Sequence, residues 1–444
     1  MKFTPLFTLA MPLLMIAAPG HAAAAYATDQ LAALNPVRTV TRPLTPLRDQ
    51  IKSRIPLKEK PPTVVDDTIA PLQKIWQQLP ARLPIVDKDG DEALVEVRVE
   101  NGARAIEHEW LLSVGDDAVA LLDKFAFPIL ARTRYAELGF TVIRFRVPAK
   151  QDSRAALIAL LPAVLHDDLD RNHVFDAQAL MPAPETPERQ PTPVERTACA
   201  TPLSIGMIDT AIDGNHPALA SAPLQQRNFL TDKLDAPRDH GTAVASLFIA
   251  RSAELTPLLP QAQVYAASVF YQRDAQSQGA TTALLVQALN WLLGHGFAVI
   301  NMSLTGPPNV VLQQAIVATQ KRGAHIVAAA GNAGPTAAPL YPAAYAGVIA
   351  VTAVDDDAQI YRWANRGEHI SFAARGVDVV SAQAGGGIRR NTGTSFASPV
   401  VTALYACALI NSTDNDVLDT LLARTKDLGA SGRDPVYGWG LLQP

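Results

Sequence analysis

Asn391-Thr392-Gly393-Thr394-Ser395-Phe396-Ala397-Ser398-Pro399 is the stretch from which the rest of the chain can be read. The Gly-Thr-Ser turn runs straight into Val400-Val401-Thr402-Ala403-Leu404-Tyr405-Ala406-Cys407-Ala408-Leu409-Ile410, which is apolar on every helical face and so predicts a buried helix. Ser395 then stands at a helix N-terminus, where unpaired N–H groups and the helix dipole favour developing negative charge. A serine hydroxyl is a poor nucleophile at neutral pH, so one placed there needs a base.

Two upstream segments supply candidates. Asp239-His240-Gly241-Thr242 opens a second helix, and the short apolar strand Ile205-Gly206-Met207-Ile208 ends in Asp209. The chain order Asp, His, Ser separates this arrangement from those that run His, Asp, Ser or Ser, Asp, His. Gly393-Thr394-Ser395-Phe396-Ala397 also lacks the last glycine of a G-x-S-x-G elbow.

Five segments in sequence order, IDTAIDGNHP at 208–217, HGTAVAS at 240–246, VINMSL at 299–304, AAAGNAGP at 328–335 and GTSFASP at 393–399, resemble the subtilisin-like serine proteases over residues 202–442. The resemblance implies an α/β fold with a doubly wound, mostly parallel sheet and helices on both faces. It makes Ser395 the nucleophile, His240 its base, Asp209 the group that orients the imidazole, and Asn332 an oxyanion-hole donor beside the Ser395 N–H. The function implied is a serine endopeptidase acting on polypeptide substrates through an acyl-enzyme. No cofactor is required for that chemistry. Family members often bind calcium, but residues 251–260 lack an oxygen-rich loop to which ligands can be assigned, and Asp355-Asp356-Asp357 reads as a solvated turn.

In the family, the segment matching Ser303-Leu304-Thr305-Gly306 pairs with the substrate backbone, and Ala329-Ala330-Gly331 matches the opposite wall. Both are uncharged here, which predicts a shallow pocket and a preference for apolar or small side chains. Thr305 stands at a usual glycine, Ala211 at another, and Ala243 and Ser246 replace the second histidine and last glycine of HGTHVAG. The position matching Tyr341-Pro342 carries a cis proline in the family. His216, His295 and His325 read as structural.

The pattern of apolar runs agrees with the resemblance. Strands are predicted over 205–208, 264–269, 299–303, 326–330 and 348–354, with helices from Thr242 and over 281–293 and 310–322, the alternation of a parallel sheet covered on both faces. At 444 residues, 48% hydrophobic and net charge −4, the chain can bury a large core and carries no overall basic signature for nucleic acid.

Residues 1–25 read as a signal peptide: Lys2, an apolar stretch over 6–18, then small residues around Ala22 and Ala24. Export to a periplasm or the outside follows, and no later run of about 18 apolar residues predicts a membrane span. Residues 26–65 are rich in Pro, Arg and Lys, a solvated tether or a contact for anionic surfaces. Residues 66–176 mix strands at 93–99 and 140–147 with helices at 116–125 and 153–161, resembling a ferredoxin-like α+β propeptide. The Pro-rich linker 177–198 joins it to a catalytic domain at 199–444, and a maturation cleavage is expected between Asn172 and Thr197. The alternative is no cleavage, with the N-terminal domain permanently blocking the cleft of a regulatory or binding module. Cys199 and Cys407 are either a disulfide or, at Cys407, a buried thiol in an apolar helix.

Overall fold

The computed structural model describes residues 78–115, 127–177, 181–182, 197–274, 277–411 and 417–444. The signal peptide, the tether and the helix expected over 116–125 lie outside the described residues.

The N-terminal part opens with the hairpin β1 (Arg82–Val86) and β2 (Glu92–Arg98), followed by β3 (Arg104–Val114), β4 (Ile129–Tyr135), β5 (Phe140–Arg146), helix α1 (Arg154–Leu160) and β6 (Leu169–Ala177). Pairing is antiparallel throughout, in the order β4-β5-β3-β6 with β2 continuing the edge of β3 ahead of β5. The Ser153 hydroxyl accepts from Ala156 N to cap α1. Trp110, Leu112, Ile143, Phe145, Leu157 and Leu169 form a core of their own beneath α1.

After the two-residue strand β7 (Met181–Pro182), β8 (Ser204–Asp209) begins a second sheet, followed by β9 (Leu224–Asn228), α2 (Asp239–Ile249), β10 (Gln263–Ser268), β11 (Tyr271–Gln272), β12 (Gln278–Thr281) and α3 (Thr282–Leu293). The chain continues through β13 (Val299–Met302), β14 (Leu304–Thr305), α4 (Val310–Lys321), β15 (His325–Ala329), β16 (Ile349–Val354), β17 (Ile370–Arg375), β18 (Val379–Ala382), β19 (Ile388–Thr392), α5 (Thr394–Asn411) and α6 (Val417–Leu422).

Seven of these strands form a wholly parallel sheet, β17-β16-β15-β13-β8-β10-β9. Burial on both faces explains why its inner strands read as continuous apolar runs. Ile205 and Met207 of β8 point into the core around α2 and α5, while Ile208 points into the core around α3 and α4. The doubly wound, mostly parallel fold expected from the sequence is therefore present.

Over 18 residues the mean hydropathy of α5 is 1.3, long and apolar enough to cross a membrane by length and composition alone. It is instead the central core helix, 83% buried within the protein. The disulfide Cys199–Cys407 joins its distal half to the segment before β8.

The antiparallel N-terminal strands belong to a larger, nine-stranded sheet that runs from β1 through β2, β3 and β6 into β12 and β11, with β14 also paired to β6. Strand β6 thus lies antiparallel between two strands of the C-terminal part: Phe175 faces Ala280, Asp176 faces both Gly279 and Thr305, and Ala177 faces Leu304. The side chains of β6 also complete two helix starts, Asn172 Oδ1 accepting from Ala283 N at 3.1 Å and Asp170 Oδ2 from Val310 N at 2.9 Å. Each satisfies a first-turn N–H that has no partner within its helix. The strand runs one residue beyond the domain end expected at 176, and Met181–Pro182 pairs with β19 at a sheet edge, where a proline is tolerated.

Candidate active site

Asp209, His240, Asn332 and Ser395, which the sequence places far apart, meet at the C-terminal edge of the parallel sheet. Asp209 ends β8, His240 lies in the first turn of α2, Asn332 follows β15, and Ser395 lies in the first turn of α5. All four are buried. His240 Nδ1 donates to Asp209 Oδ1 at 2.7 Å, and the same oxygen accepts from Thr210 N at 2.7 Å. The Thr210 hydroxyl accepts from Gly241 N at 2.7 Å, tying strand end to helix start. Gly241 has no room for a side chain, since a Cβ there would stand 2.4 Å from the Thr210 carbonyl oxygen. The imidazole is therefore fixed by its neighbours on both sides, and its Phe396 contact, ring centroids 5.7 Å apart, adds an apolar wall.

The polar atoms aimed at the site are left without partners. His240 Nε2, Ser395 Oγ and Asn332 Nδ2 are buried and have no hydrogen-bond partner in the protein. Asn332 is held by its other end: Oδ1 accepts from Thr394 N at 3.0 Å and from the Thr394 hydroxyl at 3.1 Å, which directs Nδ2 towards the serine. A Cβ built on Gly393 would stand 2.8 Å from Asn332 Nδ2 and 3.4 Å from Ser395 Oγ, so glycine keeps the space between them clear.

Pro399, inside α5, lacks the N–H that would close on the Ser395 carbonyl. Ser303 Oγ donates to that carbonyl instead at 3.1 Å, while itself accepting from Asn301 Nδ2 at 2.9 Å. The side chain of Ser303 thus holds the first turn of α5, and only its backbone remains for the cleft. Ser246 is similarly used, donating to Ala243 O at 2.7 Å and accepting from Ala382 N at 2.9 Å.

Of the segments expected to line the cleft, Leu304 and Thr305 are buried and paired with β6, Gly306 packs against Phe175 of the same strand, and Ala329, Ala330 and Gly331 are buried. Gly331 packs so closely that an added Cβ would meet Leu340 Cδ1 at 2.7 Å. The Tyr341-Pro342 peptide bond is cis, as the resemblance implies.

His216, His295 and His325 serve structure. His216 Nε2 meets Gly387 O at 2.8 Å and its Nδ1 accepts from Ala218 N; His295 Nδ1 donates to Trp291 O at the end of α3. Burial pushes the His325 pKa down to about 4, and its Nδ1 shares a hydrogen bond with the Tyr405 hydroxyl at 3.0 Å. Asp355 Oδ1 accepts from Asp357 N and Gln359 N and so organises its own turn. Among the described residues no three His, Cys, Asp or Glu side chains gather as a metal ion would require.

One cluster was not foreseen. Glu96 of β2, fully buried, accepts from Tyr271 Oη at 2.8 Å, Arg273 Nε at 2.6 Å and Arg104 Nε at 2.7 Å. Arg273 also pairs through Nη1 with Asp176 of β6. Burial raises the Glu96 pKa, and Arg273 and Arg104 together outweigh it, holding the carboxyl below its usual range. In the sequence Glu96 sits between Val95 and Val97, where alternation assigns it to solvent.

Residues 201–440 match the subtilase family, Peptidase_S8. The chain belongs to that family. The minor extracellular protease Epr of Bacillus subtilis is 29% identical over 247 residues, covering 54% of this chain and 38% of Epr. Subtilisin E of Bacillus subtilis is 32% identical over 256 residues, covering 54% of this chain and 64% of its own length. Subtilisin DY of Bacillus licheniformis is 32% identical over 255 residues, covering 54% and 88% respectively. The match thus spans less than two thirds of the first two, and in this chain it ends short of the whole N-terminal part.

Proposed function

We propose that the protein is an exported serine endopeptidase that cuts its own chain once before acting on other polypeptides. Ser395 Oγ attacks the scissile carbonyl, His240 Nε2 takes its proton and returns it to the leaving amine, and Asp209 holds the imidazole and balances its charge. Asn332 Nδ2 and the Ser395 N–H receive the oxyanion. The observation that carries this reading is the set of three buried, unpartnered polar atoms, His240 Nε2, Ser395 Oγ and Asn332 Nδ2, with the His240 and Asn332 side chains each oriented by hydrogen bonds at the far end. Stranded polar groups of this kind cost stability and are retained where chemistry uses them.

Self-cleavage is supported by β6, which enters antiparallel between β12 and β14 as an extended substrate does, and by β7, which pairs with β19 just before Ser395. The bond cut lies between Ala177 and Met181, inside the expected window of 172–197. The signal-like sequence at 1–25, the Cys199–Cys407 disulfide and the extracellular name of Epr support export. The extent of the same strand pairing also favours a second reading, in which β6 stays in place and the protein is a binding or regulatory module.

Expressing the chain beside Ser395→Ala separates the two. Loss of the N-terminal region with a new N-terminus between residues 178 and 181, together with fluorophosphonate labelling, in the parent alone establishes the peptidase. Two full-length, unlabelled chains would leave the blocked module.

A further inference from the structure

Arg273 is buried, and the two carboxylates it contacts, Glu96 and Asp176, both belong to the N-terminal domain. It lies on the turn between β11 and β12, which its own backbone closes by a bond from Arg273 N to Ser277 O at 3.0 Å and which Asp274 braces by accepting from Ser277 N at 2.9 Å. The guanidinium is thus anchored on the catalytic side, and Nη2 is buried with no hydrogen-bond partner. Tyr271, on the same hairpin, donates its hydroxyl to the same Glu96 oxygen that accepts from Arg273. Opposite them Gly279 offers no side chain: a Cβ there would stand 2.9 Å from Glu96 Oε1 and 2.9 Å from Tyr271 Oη. Arginine N–H, phenol O–H and the space over a glycine together make a pocket for a carboxylate.

We infer that Arg273, with Tyr271, makes this cleft selective for an acidic side chain at the substrate position held by Asp176, the residue paired with Gly279 and Thr305. This rests on the reading of β6 as a bound substrate strand. When the N-terminal domain departs it takes Glu96 and Asp176 with it, and a guanidinium, which stays charged at any working pH, is left in the cleft. A substrate strand that enters in the same register brings its own side chain to that charge. An aspartate or glutamate restores a charge-assisted hydrogen bond; an amide restores a weaker one; a lysine meets like charge. Burial raises the Asp176 pKa and Arg273 offsets part of it, while the Asp176 side chain keeps 20% of its surface exposed. The small, apolar preference expected from Ala329, Ala330 and Gly331 concerns a different position along the substrate and stands beside this one.

The test uses the matured enzyme. Its N-terminal sequence fixes the bond cut, and hence how many residues before that bond Asp176 stands. Peptides carrying Asp, Asn, Glu, Gln or Lys at each position up to five before the cut are then compared by kcat/KM, with active sites counted by fluorophosphonate. Acid over amide is expected to be favoured by roughly ten- to a hundredfold at the Asp176 position alone, the usual worth of a hydrogen bond to a charged group. In Arg273→Gln the ratio is expected to fall to near one, and because both peptides meet the same preparation, incomplete folding cancels. A ratio near one in the parent, or one unchanged in Arg273→Gln, overturns the inference while leaving the peptidase intact. No peptide cleavage by the parent overturns the peptidase reading and this one with it. Should Arg273→Gln fail to mature, the parent's first cut serves instead: Asp176→Asn is expected to slow it by a similar factor and Asp176→Glu to restore it, and equal rates for all three overturn the inference.

Discussion

Phe175 of β6 fills the space that Gly306, just after β14, leaves open: a Cβ on Gly306 would stand 2.3 Å from Phe175 Cδ1 and 2.6 Å from Cγ. Phe175 is fully buried, against Leu304, Ala280 and Leu285 of the same core. The two residues are adjacent because β6 pairs with β14, so the contact reports on docking of the N-terminal strands against the C-terminal part.

Truncating Phe175 therefore weakens docking more than folding. Deleting a buried phenylalanine costs about 3–5 kcal/mol where its surroundings cannot collapse. In the uncut Ser395→Ala background, Phe175→Ala is expected to raise the rate of limited proteolysis within β6 by at least tenfold while leaving the parallel sheet resistant. Gly306→Ala is expected to act in the same direction from the other side. Equal proteolysis rates in the three chains would show that this contact carries little of the docking energy.

Asn332 and Gly393 define a second expectation. Loss of an oxyanion-hole donor in a subtilisin, the handiest measure within this family, lowers kcat by about a hundred- to a thousandfold. Asn332→Ala is expected to fall in that range with KM little changed, and Gly393→Ala to do comparable damage because its methyl would crowd Asn332 Nδ2 at 2.8 Å. Steady-state kinetics on matured enzyme decide it: an effect confined to KM would assign Asn332 to substrate binding instead.

Acid is expected to loosen the N-terminal domain through His173. Its backbone carbonyl accepts from Thr282 Oγ1 at 3.2 Å, and its Nδ1 lies 3.0 Å from Asn309 Nδ2. Burial holds its pKa below the usual histidine range; Arg171 pushes the same way, and Asp170 and Glu100 oppose. A base whose pKa is depressed on docking contributes its docking energy in full above the free value of about 6.5 and loses it as pH falls through that value. Protonation also sets a second donor against the Asn309 amide. Glu96, depressed, adds to the loss at lower pH, whereas Asp176, raised by burial, works against it. Hydrogen exchange of the 170–177 region in Ser395→Ala, corrected for intrinsic rates, is expected to be faster at pH 5 than at pH 7.5, and His173→Gln to flatten the difference.

What the sequence disclosed, and what it hid, follow from where each signal resides. Strands β8, β13, β15 and β16 are legible because both faces are buried and each is mostly apolar along its length. Edge strand β9 is not, since Gln225, Gln226 and Arg227 are exposed and carry no alternation. The candidate quartet of Asp209, His240, Asn332 and Ser395 is legible because its members sit in short motifs at element ends. The Glu96, Arg273 and Asp176 cluster is not: alternation correctly predicts that β2 has two faces, but the face assigned to water meets another domain. Pairing of β6 with β12 and β14 joins residues more than a hundred positions apart, and nothing local encodes it.

The disulfide separates stability from activity along a single helix. Cys407 is 12 residues beyond Ser395 on α5, so about 18 Å down its axis, on the far side of the core from the cleft. The bridge to Cys199 closes a sequence separation of 208 residues, the kind of long loop for which a cross-link most restricts the unfolded chain. Replacing both cysteines by serine is expected to cost about 2–4 kcal/mol, lowering Tm by several degrees or more. Pairing the serines also tests burial, because Cys407 is only 2% exposed and a hydroxyl there must find a partner among apolar neighbours. Cys199→Ala with Cys407→Ala removes that second effect, and is expected to fall in Tm by less. At temperatures well below either transition, kcat/KM of the matured double variants is expected to match the parent, since neither residue touches the groups around Ser395. A loss of activity at such temperatures, with the fold intact by circular dichroism, would mean that the tether at the base of α5 governs the placement of its first turn.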